Sequence, residues 1–443
     1  MNKASKINTL CWYPFNQVAG MSWAKGIGPV TILPCCHMVH PDDQDPMKNS
    51  KYLCEAKGNF TPDEIFNSEP FKELRQSMIK GEKHPACNIC WNEEKISDFS
   101  PRLTNANAND EIDINAPSIK ALDMKMSEHC NLQCRMCNPN SSNKLRIDQQ
   151  YFHNNKMTYM TNENKTWGWE VIDKPNTNPN EILQFEENTL FYKSLIKQKN
   201  LIKIRASGGE PMMSDSWKKW VDEIITDKDY AAQMTIKFHT NATKFTDENI
   251  ERLLHFKEIQ AILSIDATSK CYEYVRYPMT WQALNNSLKK FIKIMPTEKL
   301  QSLHVTSVFS IYSAFDVENF VIWAIDLFKQ SNSKFLSVWF ENVTPLSGNL
   351  AVKWLPNELI VELIAILERA NNLIENTPNV SSNISGIILH LKSYLTTEKP
   401  LKNQLEMKRE VVAFDMARNQ SYSNHLDTKL VEWLDTLNHQ ILV

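Results

Sequence analysis

Cys130, Cys134 and Cys137 stand in one short run, Cys130-Asn-Leu-Gln-Cys134-Arg-Met-Cys137, a C-x3-C-x2-C spacing. Three thiolates this close can fold around one iron–sulfur cubane, each taking a different iron. A closed structural cluster recruits a fourth cysteine. Three ligands leave one iron open, and an open position is what lets a metal centre bind substrate. A zinc site or chance clustering is the other reading of the same spacing. Seven of the 10 cysteines fall in three tight groups: this triplet, the pair Cys35-Cys36, and Cys87-Asn-Ile-Cys90. In a reducing compartment such grouping points to metal rather than to disulfides. Glycine is scarce, only 10 in the chain, yet two adjoin in Ser207-Gly208-Gly209-Glu210-Pro211. Backbone can approach a ligand closely only where side chains are absent.

These residues need a scaffold, and the hydrophobic pattern supplies one. Strand-like runs occur at 119–126, 201–207, 234–240, 260–266, 303–309 and 335–342, with helical patterns between them. The clearest helix carries Trp217, Trp220, Val221, Ile224 and Ile225 as one apolar stripe. Strands alternating with helices predict an α/β fold with a parallel sheet. A six-unit partial barrel and an open doubly wound sheet fit the pattern equally well. In both, ligands bind beyond the carboxyl ends of the strands. The cysteine run follows the first strand and the glycine pair the second. Thr240-Asn241 ends the third, and Ser264-Ile-Asp266 ends the fourth.

The C-x3-C-x2-C loop, followed one βα unit later by Gly-Gly-Glu-Pro, resembles the signature of the radical S-adenosylmethionine (SAM) superfamily. The resemblance implies a TIM-like partial (β/α)6 barrel and a [4Fe-4S] cluster on Cys130, Cys134 and Cys137, with SAM on the open iron. It also implies reductive SAM cleavage and hydrogen abstraction from a substrate. Gly208, Gly209, Glu210 and Pro211 would lie against the SAM amino group. Ser264-Ile-Asp266, followed by Tyr272, Tyr274, Arg276 and Trp281, resembles a run in the peptide-modifying branch of the family. By that resemblance Ser264 and Arg276 would hold the SAM carboxylate, and Asn241 would lie near the ribose. Met136 stands where the family often carries an aromatic residue beside adenine, and a thioether can pack there too.

The segment Gly28-Pro-Val-Thr-Ile-Leu-Pro-Cys35-Cys36, with Cys87-Asn-Ile-Cys90-Trp-Asn-Glu-Glu, is similar to a twitch module, a shortened SPASM domain. Such modules usually follow the barrel, whereas here it precedes it. The similarity implies an auxiliary iron–sulfur cluster on Cys11, Cys35 or Cys36, Cys87 and Cys90, with zinc as the alternative. Adjacent cysteines point apart in extended chain, so one of the pair is expected to ligate. Cys271, just past the fourth strand, is a candidate hydrogen donor to a substrate radical, with a buried structural thiol as the bland reading. His239, at the end of the third strand, is an acid–base or radical-donor candidate set against an ordinary structural histidine, and Cys54 has no assignment.

With 443 residues the chain exceeds one ordinary core. The expected division is a cysteine-rich twitch-like module at 1–115, the barrel at 116–345 and a helical region at 346–443. The long connection at 151–200 is a lid or a solvated insertion. A polar stretch, Asp415-Met-Ala-Arg418-Asn419-Gln420, precedes the last helix and has no motif to explain it. A tail closing the barrel mouth would meet the family's need to keep water from a radical. The net charge of −3, without a long basic block, disfavours nucleic-acid binding. No apolar run approaches ~18 residues and no signal peptide stands out, so a soluble cytoplasmic protein is expected. Expected partners are a peptide, or a small molecule such as a sugar or alcohol, and an electron donor such as flavodoxin or ferredoxin. The expected outcome is oxidation, epimerisation or cross-linking. The contrasting class is a non-catalytic iron–sulfur or zinc protein.

Overall fold

The computed structural model describes residues 9–21, 30–35, 54–56, 61–95, 100–104, 112–139, 141–157, 189–342 and 349–437. Among the described residues ten strands form one sheet: β1 (Gln17–Met21), β2 (Val30–Leu33), β3 (Cys54–Ala56), β4 (Ala121–Ser127), β5 (Lys203–Gly208), β6 (Thr235–Thr240), β7 (Glu258–Ser264), β8 (Ser302–Phe309), β9 (Phe335–Asn342) and β10 (Val380–Ser382). The six expected strands are β4 to β9, each within two residues of the predicted bounds. β1, β2, β3 and β10 were not anticipated.

Alternation explains how the sheet packs. In β7, Ile259, Ala261 and Leu263 are buried, while Glu258, Gln260 and Ser264 on the other face are only half-buried. The same alternation runs through β5, β6 and β8. Helices cover the apolar face. Asp215–Ile225 starts on Ser214, whose side chain accepts from the Trp217 amide, and buries Trp217, Trp220, Val221 and Ile224. Thr246 and Thr280 cap Asp247–Leu254 and Trp281–Ile294 in the same way. Their apolar stripes join the strands in one continuous core.

Strand order bears on the two architectures that fit the sequence. The sheet reads β10-β9-β8-β7-β6-β5-β4-β1-β2-β3, with every pair parallel except β1–β2 and β2–β3. The eight parallel strands therefore follow chain order without a reversal. A doubly wound sheet reverses its order at a switch point and carries helices on both faces. Without that reversal, crossovers of one hand stay on one face. The opposite face bears Asp123, Lys125, Arg205, Lys237, His239, Glu258, Gln260, His304 and Thr306.

The expected boundaries at 115 and 345 both fall within this sheet. β1 pairs with β4 on one side, and β10, from the C-terminal region, pairs with β9 on the other. The C-terminal region otherwise forms the helices Asn357–Glu375, Ile384–Tyr394, Leu401–Arg418 and Thr428–Thr436. The expected lid or insertion falls mostly outside the described residues, between the helices Arg146–Asn154 and Thr189–Gln198. No helix among the described residues is long and apolar enough to cross a membrane.

Candidate functional site

The cysteine loop leaves β4 at Ser127 and is braced by its neighbours along its length. The Cys130 amide donates to Asn143 Oδ1 (3.0 Å), and Ser142 Oγ donates to the Leu132 carbonyl (2.7 Å). The Gln133 and Arg135 amides donate to the carbonyls of Tyr277 (2.7 Å) and Val275 (3.0 Å). Glu128 pairs with Arg146 at the loop's start. The backbone groups around the cysteines are thus satisfied by protein in a fixed conformation.

The glycine pair presses against this loop. Gly208 has φ +121°, and a Cβ there would lie 2.4 Å from the Ser127 oxygen; one at Gly209 would lie 2.3 Å from the His129 oxygen. With no side chains in the way, the Gly209 amide donates to Ser127 O (2.8 Å) and the Glu210 amide to His129 O (2.7 Å). Close approach was expected toward a ligand. Here the approach is to the backbone that carries the cysteines, and both glycines also face the cavity described next.

A cavity of about 310 Å3 opens at the carboxyl ends of β4 to β8. Cys130, Cys134, Cys137, Met136, Gly208, Gly209, Asn241, Ser264 and Arg276 all line it, as does His239. Thr240 and Asp266 join them, with Asn138, Ser141 and Val308, which carried no sequence signal. Glu210 and Pro211 are not on its wall. Glu210 is fully buried, accepting from the amides of Met212 (3.1 Å) and Asn241 (2.8 Å) and from Thr240 Oγ1 (2.9 Å). It ties the end of β5 to the end of β6. Burial pushes its carboxyl up to about 7 against those hydrogen bonds. Pro211 begins the short 3-10 turn that follows.

Polar hydrogens reach the Cys130 and Cys134 sulfurs. Cys130 Sγ accepts from the Leu132 amide (3.5 Å) and Asn241 Nδ2 (3.7 Å), and Cys134 Sγ accepts from Arg276 Nη1 (3.4 Å). Arg276 Nε also pairs with Asp266 Oδ2 at 2.5 Å. Asp266 has φ +74°, a strained conformation for a residue with a side chain, and its Oδ1 accepts from the Val308 amide (2.8 Å). Burial raises all three thiols, Cys137 to about 12, while Arg276 opposes the rise at Cys134. Such thiols become ligands when a cation replaces the proton. The donor set fits a cluster: three cysteines line one cavity, with donors at the Cys130 and Cys134 sulfurs ready for thiolate charge. Among the described residues no group of three His, Cys, Asp or Glu side chains is placed to share a single metal ion.

Beyond the cysteines, a polar row crosses the strands. Arg205 pairs with Asp123 (3.1 Å) and donates from Nη2 to His239 Nε2 (2.8 Å). An arginine only donates, so His239 accepts at Nε2. Cys271 lies elsewhere. Its thiol donates to the Tyr312 carbonyl (3.1 Å) and lines a second cavity of about 720 Å3 with Trp281, Trp323, Asp316 and His425. The structure does not bring this candidate hydrogen donor to the cysteine-loop cavity, because the helix Ser269–Val275 turns it toward Tyr312.

Three N-terminal cysteines converge. Cys11 and Cys87 pack in one apolar cluster with Phe15, Leu74 and Met78. Burial raises the Cys11 and Cys87 thiols to about 12, and the nearby Cys90 thiol adds to both shifts. Arg102 closes the group, pairing with Glu94 (2.5 Å) and donating to the Leu10 carbonyl (3.1 Å). Cys35 follows β2 and is half-buried. Cys36 and the side chain of Cys54 lie outside the described residues.

No protein-family model and no curated protein sequence matches the chain. The resemblance to the radical SAM family therefore rests on short motifs and their placement. Among solved structures, Streptococcus suis SuiB bound to precursor peptide SuiA aligns over 84% of this chain and 70% of its own, with 14% identity and a TM-score of 0.36. Streptococcus suis SuiB bound to S-adenosylmethionine aligns over 71% of this chain and 52% of its own, with 14% identity and a TM-score of 0.34.

Proposed function

We propose that the chain is a radical SAM enzyme in which Cys130, Cys134 and Cys137 hold a [4Fe-4S] cluster whose open iron takes SAM. The observation that carries this reading is the 310 Å3 cavity. It gathers the cysteine run, the glycine pair, Asn241, Ser264 and Arg276, which span almost 150 residues of sequence. When bound, SAM supplies the chemistry: its reductive cleavage yields a radical that abstracts hydrogen from substrate. The chain's own residues bind and orient. In this reading Arg276, with Ser264, holds the SAM carboxylate, the backbone at Gly208 and Gly209 meets the amino group, Asn241 lies near the ribose, and Met136 packs beside adenine. Hydrogen bonds to the Cys130 and Cys134 sulfurs set the cluster's potential. The singly wound sheet is read as the wall of a partial (β/α)6 barrel.

The Ser264-to-Arg276 run favours a peptide over a sugar or alcohol as substrate. Cys11, Cys87 and Cys90, with Cys35 or Cys36, form the proposed auxiliary cluster site, and flavodoxin or ferredoxin would supply electrons. Anaerobically reconstituted, reduced protein is expected to make 5′-deoxyadenosine from SAM, and Cys134→Ala to make none. A reduced cluster whose EPR spectrum is indifferent to SAM would sink the proposal. Iron analysis then counts the sites: about eight irons per chain for two cubanes, about four with zinc for one.

A further inference from the structure

The polar stretch near the end of the chain, unused by the chemistry above, meets the back of the cysteine loop. Arg135, between the second and third cysteines, donates from Nη2 to Asp415 Oδ1 (2.6 Å) and Gln420 Oε1 (3.0 Å), and from Nε to the Tyr274 carbonyl (3.0 Å). Its guanidinium lies 3.5 Å from the centre of the Tyr274 ring, and Tyr274 Oη donates to the same Asp415 oxygen (2.7 Å). The other Asp415 oxygen accepts from the Tyr422 amide (2.6 Å). A second tie runs beside the first. Arg418 grips Asp148 with Nε (3.2 Å) and Nη2 (2.7 Å), and Gln133, just before Cys134, donates to the same carboxylate (3.2 Å). Arg135 is 2% exposed, Asp148 1%, and Asp415 and Arg418 7% each.

Buried ion pairs contribute little net stability, since desolvation offsets their attraction. What they can do is hold one geometry. Two of them join the loop and the helix that follows it to one helix, Leu401–Arg418, across some 270 residues of sequence. Neither Arg135 nor Asp415 lines the 310 Å3 cavity, so both act on the loop from outside it. An unrestrained loop would have to order its three sulfurs at the moment of cluster binding, at an entropic cost. We infer that Asp415, Arg418 and Gln420 are positioning residues that set the cysteine loop in its cluster-binding conformation, an inference that rests on the cluster reading above.

The test uses the full chain. In metal-free Asp415→Asn, hydrogen exchange at residues 130–137 is expected to quicken by about tenfold, with β7 and β8 unchanged. After reconstitution with iron and sulfide, the cluster whose reduced EPR signal responds to SAM should be lost to a chelator about tenfold faster. Following the SAM-responsive signal separates this loop from the N-terminal cysteines. Met416→Ala, half-exposed on the same helix, should match wild type in both measurements. If Asp415→Asn does not fold, Gln420→Ala decides, with the same direction and a smaller effect. Wild-type exchange and cluster retention in the folded variant would overturn the positioning role while leaving the cluster in place. Wild-type protein that assembles no SAM-responsive cluster would instead remove the reading beneath it.

Discussion

A methyl group at Gly208 would meet the Ser127 carbonyl oxygen at 2.4 Å, on backbone already at φ +121°. Both terms oppose Gly208→Ala, and together they predict a loss of about 2–4 kcal/mol. Gly386 is the contrast. It sits in the helix Ile384–Tyr394 with nothing within 4 Å of the position a Cβ would take, so Gly386→Ala should stabilise by about 0.5–1 kcal/mol. Urea unfolding measures both, and equal responses would remove the close-approach argument. The side-by-side glycines were legible because the chain has so few. Their partner was not, because the Ser127 and His129 carbonyls carry no side-chain signature.

The strands β5 to β8 present one apolar and one more polar face, and the polar face has its own electrostatics. In β8, Leu303 and Val305 enter the core while His304 lies opposite them. Burial, helped by Lys237, holds His304 down to about 4 against an ordinary value of 6.5. Between those values the unfolded chain binds more protons, so stability falls as pH drops from 6.5 toward 4. The full effect is about 3 kcal/mol. His304→Asn should shrink the difference between urea midpoints at pH 7.5 and pH 4.5. An unchanged difference would mean that His304 is freely hydrated. The strands β4 to β9 were visible through their alternation. β10 has three residues, too few for a period of two to register, and β1 to β3 lie among cysteines, Pro and Gly that mask the pattern.

Among the described residues one sheet runs from Gln17 to Ser382 and one main core from Val18 to Leu437. Calorimetry of the metal-free protein is therefore expected to show a single cooperative transition. Separate transitions for the N-terminal and C-terminal regions would instead support the three-part division expected from the sequence. The candidate cavity belongs to this scale as well, since five successive strand ends must be adjacent for it to exist. That adjacency follows from the unreversed strand order, which local periodicity does not contain.

By itself the sequence determined what lies close along the chain: three thiols in one loop, a glycine pair one unit later, and polar residues at the following strand ends. Spacing and periodicity are local properties, and they survive in any fold that keeps the elements. Tertiary structure alone decided which distant side chains meet. It set Arg276 against Asp266 and Cys134, turned Glu210 into a strap between two strands, and sent Cys271 to a different cavity. It also placed Asp415 and Arg418 behind the cysteine loop. Each of these contacts depends on the relative placement of packed elements, and no run of residues encodes that placement locally.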